Sequence, residues 1–273
     1  MPEPCYIPSK MLIHCADVMQ TDQNATAFGI HAKLESIDRQ FIVQPAFEKV
    51  YADAAMIKRG YRQSENVEIL KGHGRFTGPK ILAAEGFDEE LTAETILIAA
   101  GTLPWLPDIP GLDQSPYLTF DEALGLPEQP KRLSVIGGGY IAAQSPHFFG
   151  ALGTEVNIIH RRGQMRREEN NDVARRFTKV YQRRFNLILG AQVKRVPAQG
   201  EEITVEVTTP DGKRSIPSDA LLMATGRVPN TDILEVAHTS EALNQRGYIN
   251  TDKYLQASVP GIWARAILWG PTC

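Results

Sequence analysis

Six residues restrict this chain more than any others: Gly137-Gly138-Gly139-Tyr140-Ile141-Ala142, which fits G-x-G-x-x-A. Leu133–Ile136 before them reads as a short buried strand, Tyr140–Leu152 as a helix closed by Gly153, and Glu155–Ile159 as the next strand. A glycine string alone is weak evidence, because such strings recur in turns; strand, turn, helix and strand in succession give it meaning. Gly137 permits the tight turn, Gly139 lets a pyrophosphate approach the backbone, and Ala142 keeps helix and strand close. The helix N-terminus offers free N–H groups and a partial positive charge to phosphate. These residues predict a βαβ unit that binds a nicotinamide dinucleotide, the other reading being a structural glycine turn.

The end of the second strand bears on which dinucleotide. An NAD site usually has Asp or Glu there, accepting from the ribose 2′-OH. This chain has His160, Arg161 and Arg162, then Arg166 and Arg167, with no acid at the strand end. Guanidinium groups pair well with a 2′-phosphate, so NADP is expected rather than NAD, with His160, Arg161 and Arg166 as its contacts. A solvated basic loop is the alternative.

On either side of this unit the pattern continues. Ser9 reads as a helix cap, with Met11, Leu12, Cys15, Val18 and Met19 at helical spacing, and Pro45 to about Arg62 reads as a second helix. Val67–Leu70, Ile81–Ala84 and Thr95–Ala100 read as strands; Gly101, Pro104, Pro107 and Pro110 then mark a connector. After the glycine turn come a helix at Asp172–Phe185 and a strand at Leu187–Leu189. A hairpin joins Ile203–Thr208 to Ser215–Ile216 through Pro210-Asp211-Gly212, and Ala220–Ala224 is a last buried strand. The alternation predicts an α/β fold with a parallel sheet covered on both faces.

At 273 residues the chain has room for two domains, and 42% hydrophobic with 22% charged residues describes a globular protein. A net charge of -3 gives no reason to expect nucleic acid or an anionic membrane as partner. No run approaches the roughly 18 apolar residues of a membrane span. The start, Met1 to Cys5, has no basic region followed by an apolar core, so a signal peptide is not expected. Three cysteines, at 5, 15 and 273, are few and odd in number, which fits a reducing cytoplasm.

Five strings then stand in a telling order: Ile7-Pro8-Ser9-Lys10, Gly72-His73-Gly74-Arg75-Phe76, Ile98-Ala99-Ala100-Gly101, Val135–Ala143 and Ala224-Thr225-Gly226-Arg227-Val228-Pro229-Asn230. With them the chain, from about Cys5 to Ala264, resembles the flavoprotein disulfide reductases, or class I pyridine nucleotide-disulfide oxidoreductases. The mycothione reductases are the members it resembles most, with dihydrolipoyl dehydrogenases and glutathione reductases as relatives. The resemblance implies a Rossmann-type NAD(P) domain at 113–230, inserted in an FAD domain to which 1–112 and 231–273 belong. It implies hydride transfer from NADPH to FAD. Lys10 would lie near the flavin N5 edge, and Gly74 and Gly101 would line the FAD site. Tyr140 would be an aromatic gate between nicotinamide and flavin, and Gly226 and Arg227 would close the NADP side. From the residues alone, Lys10 is a solvated helical lysine and Tyr140 a core aromatic.

Against the family's pattern the chain has departures. It starts after the first strand and glycine turn that hold the ADP half of FAD. Tyr6 stands where the second redox cysteine belongs and Met1 where the first would be. Gln144 replaces the glutamate that pairs with the lysine, and Pro146 falls inside a helix. Arg265-Ala266-Ile267-Leu268 follows Gly261-Ile262-Trp263-Ala264 where the family has Gly-Asp, and the chain stops before the dimerisation domain with its His–Glu pair. No catalytic residue is therefore expected for the thiol–disulfide step. FAD binding too weak to survive purification, poor solubility, an open sheet edge that invites a second copy or a complementing chain, and a 113–230 fragment better behaved than the full chain are expected. Two functions follow: an oxidoreductase with NADPH and flavin, or a non-catalytic NADP-binding module or inactive fragment.

Overall fold

The computed structural model describes residues 6–199 and 202–265. Readings that rest on Met1, Cys5, Ala266 to Leu268 or Cys273 lie outside these residues. The chain divides into two compact units, one of residues up to 57 with 106–226, the other of 58–105 with 227 onward. These boundaries are not those of the segments 1–112, 113–230 and 231–273.

The first unit is built on a parallel sheet of five strands. Their order across the sheet is Tyr117–Leu118, Ala220–Ala224, Arg132–Gly137, Glu155–His160 and Asn186–Leu189. Strands covered on both faces read as unbroken apolar runs. Ala220–Ala224 is buried at every position, and Leu133 to Gly137 likewise. Alternate side chains then serve two cores. Leu133, Val135, Val156, Ile158 and Leu222 point to a core shared with five helices: α1 (Tyr6–Asn24), α2 (Arg39–Gln63), α3 (Phe120–Leu124), α4 (Ile141–Ala151) and α5 (Asn171–Arg184). Ile136, Ile159, Ile188, Leu221 and Met223 point the other way.

That second face is covered by strands and not by helices. Gln192–Arg195, Ala198–Gln199 and Gly212–Ser218 all pair antiparallel with Glu202–Thr209. Ile203, Val205 and Val207 alternate along the central strand and bury its inner side. The hairpin expected around Pro210-Asp211-Gly212 is present, with Thr209 opposite Gly212.

Elsewhere the elements differ from expectation in places. Ser9 is no cap: α1 starts before it, and Ser9 is buried inside the helix. α2 starts earlier than Pro45 and runs through it, leaving the carbonyl of Phe41, an exposed residue, without its helical donor. α4 likewise continues through Pro146. Val67–Leu70 forms no strand.

Leu12, Ala16 and Ala46 are fully buried in the helical core. Residues 113–230 alone would strip them away, together with Leu112 of the other core. This loss of packing counts against the expectation that a 113–230 fragment behaves better than the full chain.

The second unit has a three-stranded antiparallel sheet (Gly74–Gly78, Ile81–Ala84, Leu91–Thr92) and two strand pairs. Ile96–Ile98 runs parallel to Ile262–Ala264, and Thr102–Pro104 antiparallel to Arg227–Pro229. Phe76, Ile96, Ile98, Val236, Ile249, Ile262 and Ala264 form its core. Among the described residues, no helix is long and apolar enough to cross a membrane.

Candidate dinucleotide site

The site grows from the end of the Arg132–Gly137 strand. Gly137 takes φ of 149°, and a Cβ there would sit 2.0 Å from the carbonyl oxygen of Ala224 on the neighbouring strand. Only glycine fits that turn. Gly138 is constrained from the other side, since its Cβ would lie 2.5 Å from the His160 ring. Gly139 differs from both: a Cβ there meets nothing within 4 Å. It opens onto free space at the start of α4.

The start of α4 presents backbone donors. Ala143 and Gln144 donate to the carbonyls of Gly139 and Tyr140 at 3.1 and 2.9 Å, and the N–H groups before them have no intrahelical acceptor. Such groups favour an anion through both hydrogen bonding and the helix dipole. Ala142 is fully buried in the core, which lets α4 lie against the sheet.

His160 ends the next strand half-buried, and its backbone carbonyl accepts from Ala191 at 3.0 Å. Burial, reinforced by the charges of Arg161 and Arg162, pulls its pKa below the usual histidine value, although a backbone bond at Gln164 opposes this. The ring packs against Gly138.

Arg161 and Arg162 are exposed beside it. Arg166 is placed quite differently. Its backbone, at φ of 54°, donates to the Gly138 carbonyl at 2.9 Å. Its side chain is only 6% exposed and pairs with Glu169 at 2.7 Å and Glu168 at 3.7 Å. Its guanidinium carbon lies 3.1 Å from the centroid of the Tyr140 ring. The Tyr140 hydroxyl donates to the same Glu169 oxygen at 2.6 Å. That bond raises the Tyr140 pKa and, with the Arg166 bond, lowers that of Glu169.

Tyr140 is 62% exposed, so the core-aromatic reading of it does not hold. Glu168 and Glu169 escaped the sequence reading, which sought an acid at the strand end. They arrive from the loop before α5, whose start is fixed by Asn170 accepting from the Asp172 N–H at 2.9 Å.

The remaining site residues are distributed between the units. Gly226, at φ of 132°, follows the Ala220–Ala224 strand, and Lys10 lies exposed on α1. Gly74 and Gly101 belong to the second unit, and each has open space where a Cβ would be. Arg227 is also there, with its guanidinium engaged: Nε donates to Thr102 Oγ1 at 2.5 Å and Nη2 to the Thr102 carbonyl at 2.6 Å. The geometry therefore gathers Gly137, Gly139, Tyr140, Ala142, His160 and Arg166 around one turn, with Arg161 exposed at its rim.

The family model for pyridine nucleotide-disulphide oxidoreductases matches residues 7–265. The chain belongs to this family. It is similar to glutathione reductase from Burkholderia cepacia, 32% identical over 262 residues, covering 94% of this chain and 56% of that protein. Mycothione reductase from Mycobacterium tuberculosis is 29% identical over 263 residues, with the same two coverages. Among solved structures, HOCl-induced flavoprotein disulfide reductase RclA from Escherichia coli superposes with a TM-score of 0.81 at 25% identity, covering 97% of this chain and 57% of that one. The chain thus spans about half the length of the relatives it matches.

Proposed function

We propose that the glycine turn binds NADPH and that the chain serves hydride transfer from it to FAD. The observation that carries this reading is the open space at Gly139, set against the N–H groups at the start of α4 and beside two exposed arginines. When bound, the nicotinamide supplies the hydride and the flavin accepts it. The chain's own part is to hold and orient. Gly137 and Gly138 shape the turn, the first residues of α4 address the pyrophosphate, and Arg161 and Arg162 attract the 2′-phosphate. Tyr140 covers the turn. Lys10, Gly74 and Gly101 are assigned to the flavin on the strength of the family likeness.

The thiol–disulfide step is assigned to no residue of this chain. Tyr6 holds the second cysteine's place. Cys15 is partly buried, and burial raises its pKa, the reverse of what an attacking thiolate needs. The family match along 7–265 supports an oxidoreductase over a non-catalytic module. The few cysteines support a cytoplasmic setting.

Titration of the purified chain with NADPH and NADH tests the cofactor. NADPH should bind tighter, and Arg161→Ala should weaken NADPH binding by about 1.5 kcal/mol, roughly tenfold. Equal affinities in the wild type would refute the preference. Titration of the purified chain with FAD tests the flavin assignment: weak binding without flavin surviving dialysis fits it, and no binding at millimolar FAD refutes it.

A further inference from the structure

We propose that Glu169 is a built-in competitor for the cofactor's 2′-phosphate, and so a determinant of how strongly the site prefers NADPH to NADH. This deepens the reading above and rests on it. Arg166 is the arginine tied by its backbone to the glycine turn, through the bond to the Gly138 carbonyl. Its guanidinium is almost wholly buried and held by the Glu169 carboxylate at 2.7 Å. A carboxylate and a phosphate ask the same thing of a guanidinium, a charge-assisted and preferably two-pronged hydrogen bond. While Glu169 occupies Arg166, that charge is already spent. An incoming 2′-phosphate meets Arg161 and Arg162 freely but must displace a carboxylate to reach Arg166.

The displacement involves more than one pair. Glu169 Oε1 also accepts from the Tyr140 hydroxyl, and the Arg166 guanidinium is stacked on the Tyr140 ring. Breaking the pair therefore loosens the ring that covers the turn. Glu168, at 3.7 Å, stands as a weaker second anion on the same guanidinium. NADH has no 2′-phosphate to drive the exchange, so the carboxylate acts against one cofactor only.

The test uses the full chain and measures Kd for NADPH and NADH in wild type, Glu169→Gln, Glu168→Gln and the double variant Arg166→Ala/Glu169→Gln. Glutamine still accepts from Tyr140 but forms no ion pair. Glu169→Gln should bind NADPH about tenfold tighter, Glu168→Gln should show a smaller gain, and the double variant should lose the gain. A gain that persists without Arg166 would mark a general effect of removing negative charge and overturn the proposal. An unchanged NADPH Kd in Glu169→Gln would overturn it too. So would a raised preference arising only from weaker NADH binding, which would make Glu169 a ribose acceptor instead. If wild type binds neither cofactor, the dinucleotide reading itself fails. If it binds NADPH and Glu169→Gln is unaltered, only the competition fails. Thermal unfolding of each variant shows that the fold is retained.

Discussion

Three consecutive glycines at the turn do three different things, and alanine at each should separate them. At Gly137 a methyl group would strike the Ala224 carbonyl in a backbone conformation that L residues rarely adopt, so Gly137→Ala should destabilise the protein by about 2 kcal/mol or more. At Gly139 the protein offers no obstacle. Gly139→Ala should therefore unfold at the wild-type temperature yet lose nicotinamide nucleotide binding, because its methyl would stand where the pyrophosphate approaches. Thermal melts and titrations on the two variants check this; wild-type affinity in Gly139→Ala would place the phosphate elsewhere. The tight turn at Gly137 was legible in the sequence because it follows from the motif's spacing. The packing of His160 on Gly138 and the hold of Glu169 on Arg166 were not, because both depend on where a loop folds back. The burial of His160, which lowers its pKa, was hidden for a related reason: in sequence it is one more basic residue.

Helices and strands were legible where periodicity and punctuation agreed. The hairpin at 202–218 combined alternating apolar residues with a Pro-Asp-Gly turn, and it forms. Cover for the second sheet face was foreseen but not its kind, since the sequence shows which residues face inward and not what meets them. α5 illustrates a support that no local pattern reveals. Its Tyr181 donates to the Ala143 carbonyl in α4 at 2.5 Å and stacks on Phe177. Burial pushes the Tyr181 hydroxyl up to about 12. A folded-state pKa above the unfolded value of about 10 stabilises the protein below pH 10, and this contribution is lost as pH rises through 12. Tyr181→Phe should lower stability by about 1 kcal/mol at neutral pH. The deficit should shrink between pH 10 and 12, measured by denaturant melts. The Asp219 carboxylate runs the other way. It accepts from the Arg132 backbone N–H at 2.8 Å and from its guanidinium at 2.6 Å, and the Arg132 bond pulls its pKa below the usual carboxylate value. Its contribution is present above the ordinary aspartate pKa and fades as pH falls through the lowered one. Asp219→Asn should lower the melting temperature at neutral pH by a few degrees, and the difference should vanish in acid.

Two units, the first with two cores about one sheet and the second with its own, make two cooperative transitions the expectation for the whole chain. The first unit carries every residue gathered at the glycine turn, and the second carries Arg227, whose guanidinium is already engaged by Thr102. A ligand stabilises only the folded species that holds it, by about 2.7 kcal/mol at a free concentration one hundred times its Kd. For a unit of this size that corresponds to a rise of roughly 5–10 °C in melting temperature. Calorimetry of the full chain should therefore show two transitions, of which NADPH moves one and leaves the other in place. Gly139→Ala identifies the moving transition, because in that variant NADPH should shift neither. Thr102→Ala should lower the transition that NADPH leaves in place, since Arg227 and Thr102 join two strands of the second unit. A single transition that NADPH moves as a whole would mean that the two units unfold together, whereas two transitions shifted by similar amounts would mean that the second unit also contributes to holding the nucleotide. Arg227 would then have to leave Thr102 on binding, and Arg227→Ala would weaken NADPH binding. A Kd unaltered in Arg227→Ala, with one transition shifted, places the nicotinamide site in the first unit alone.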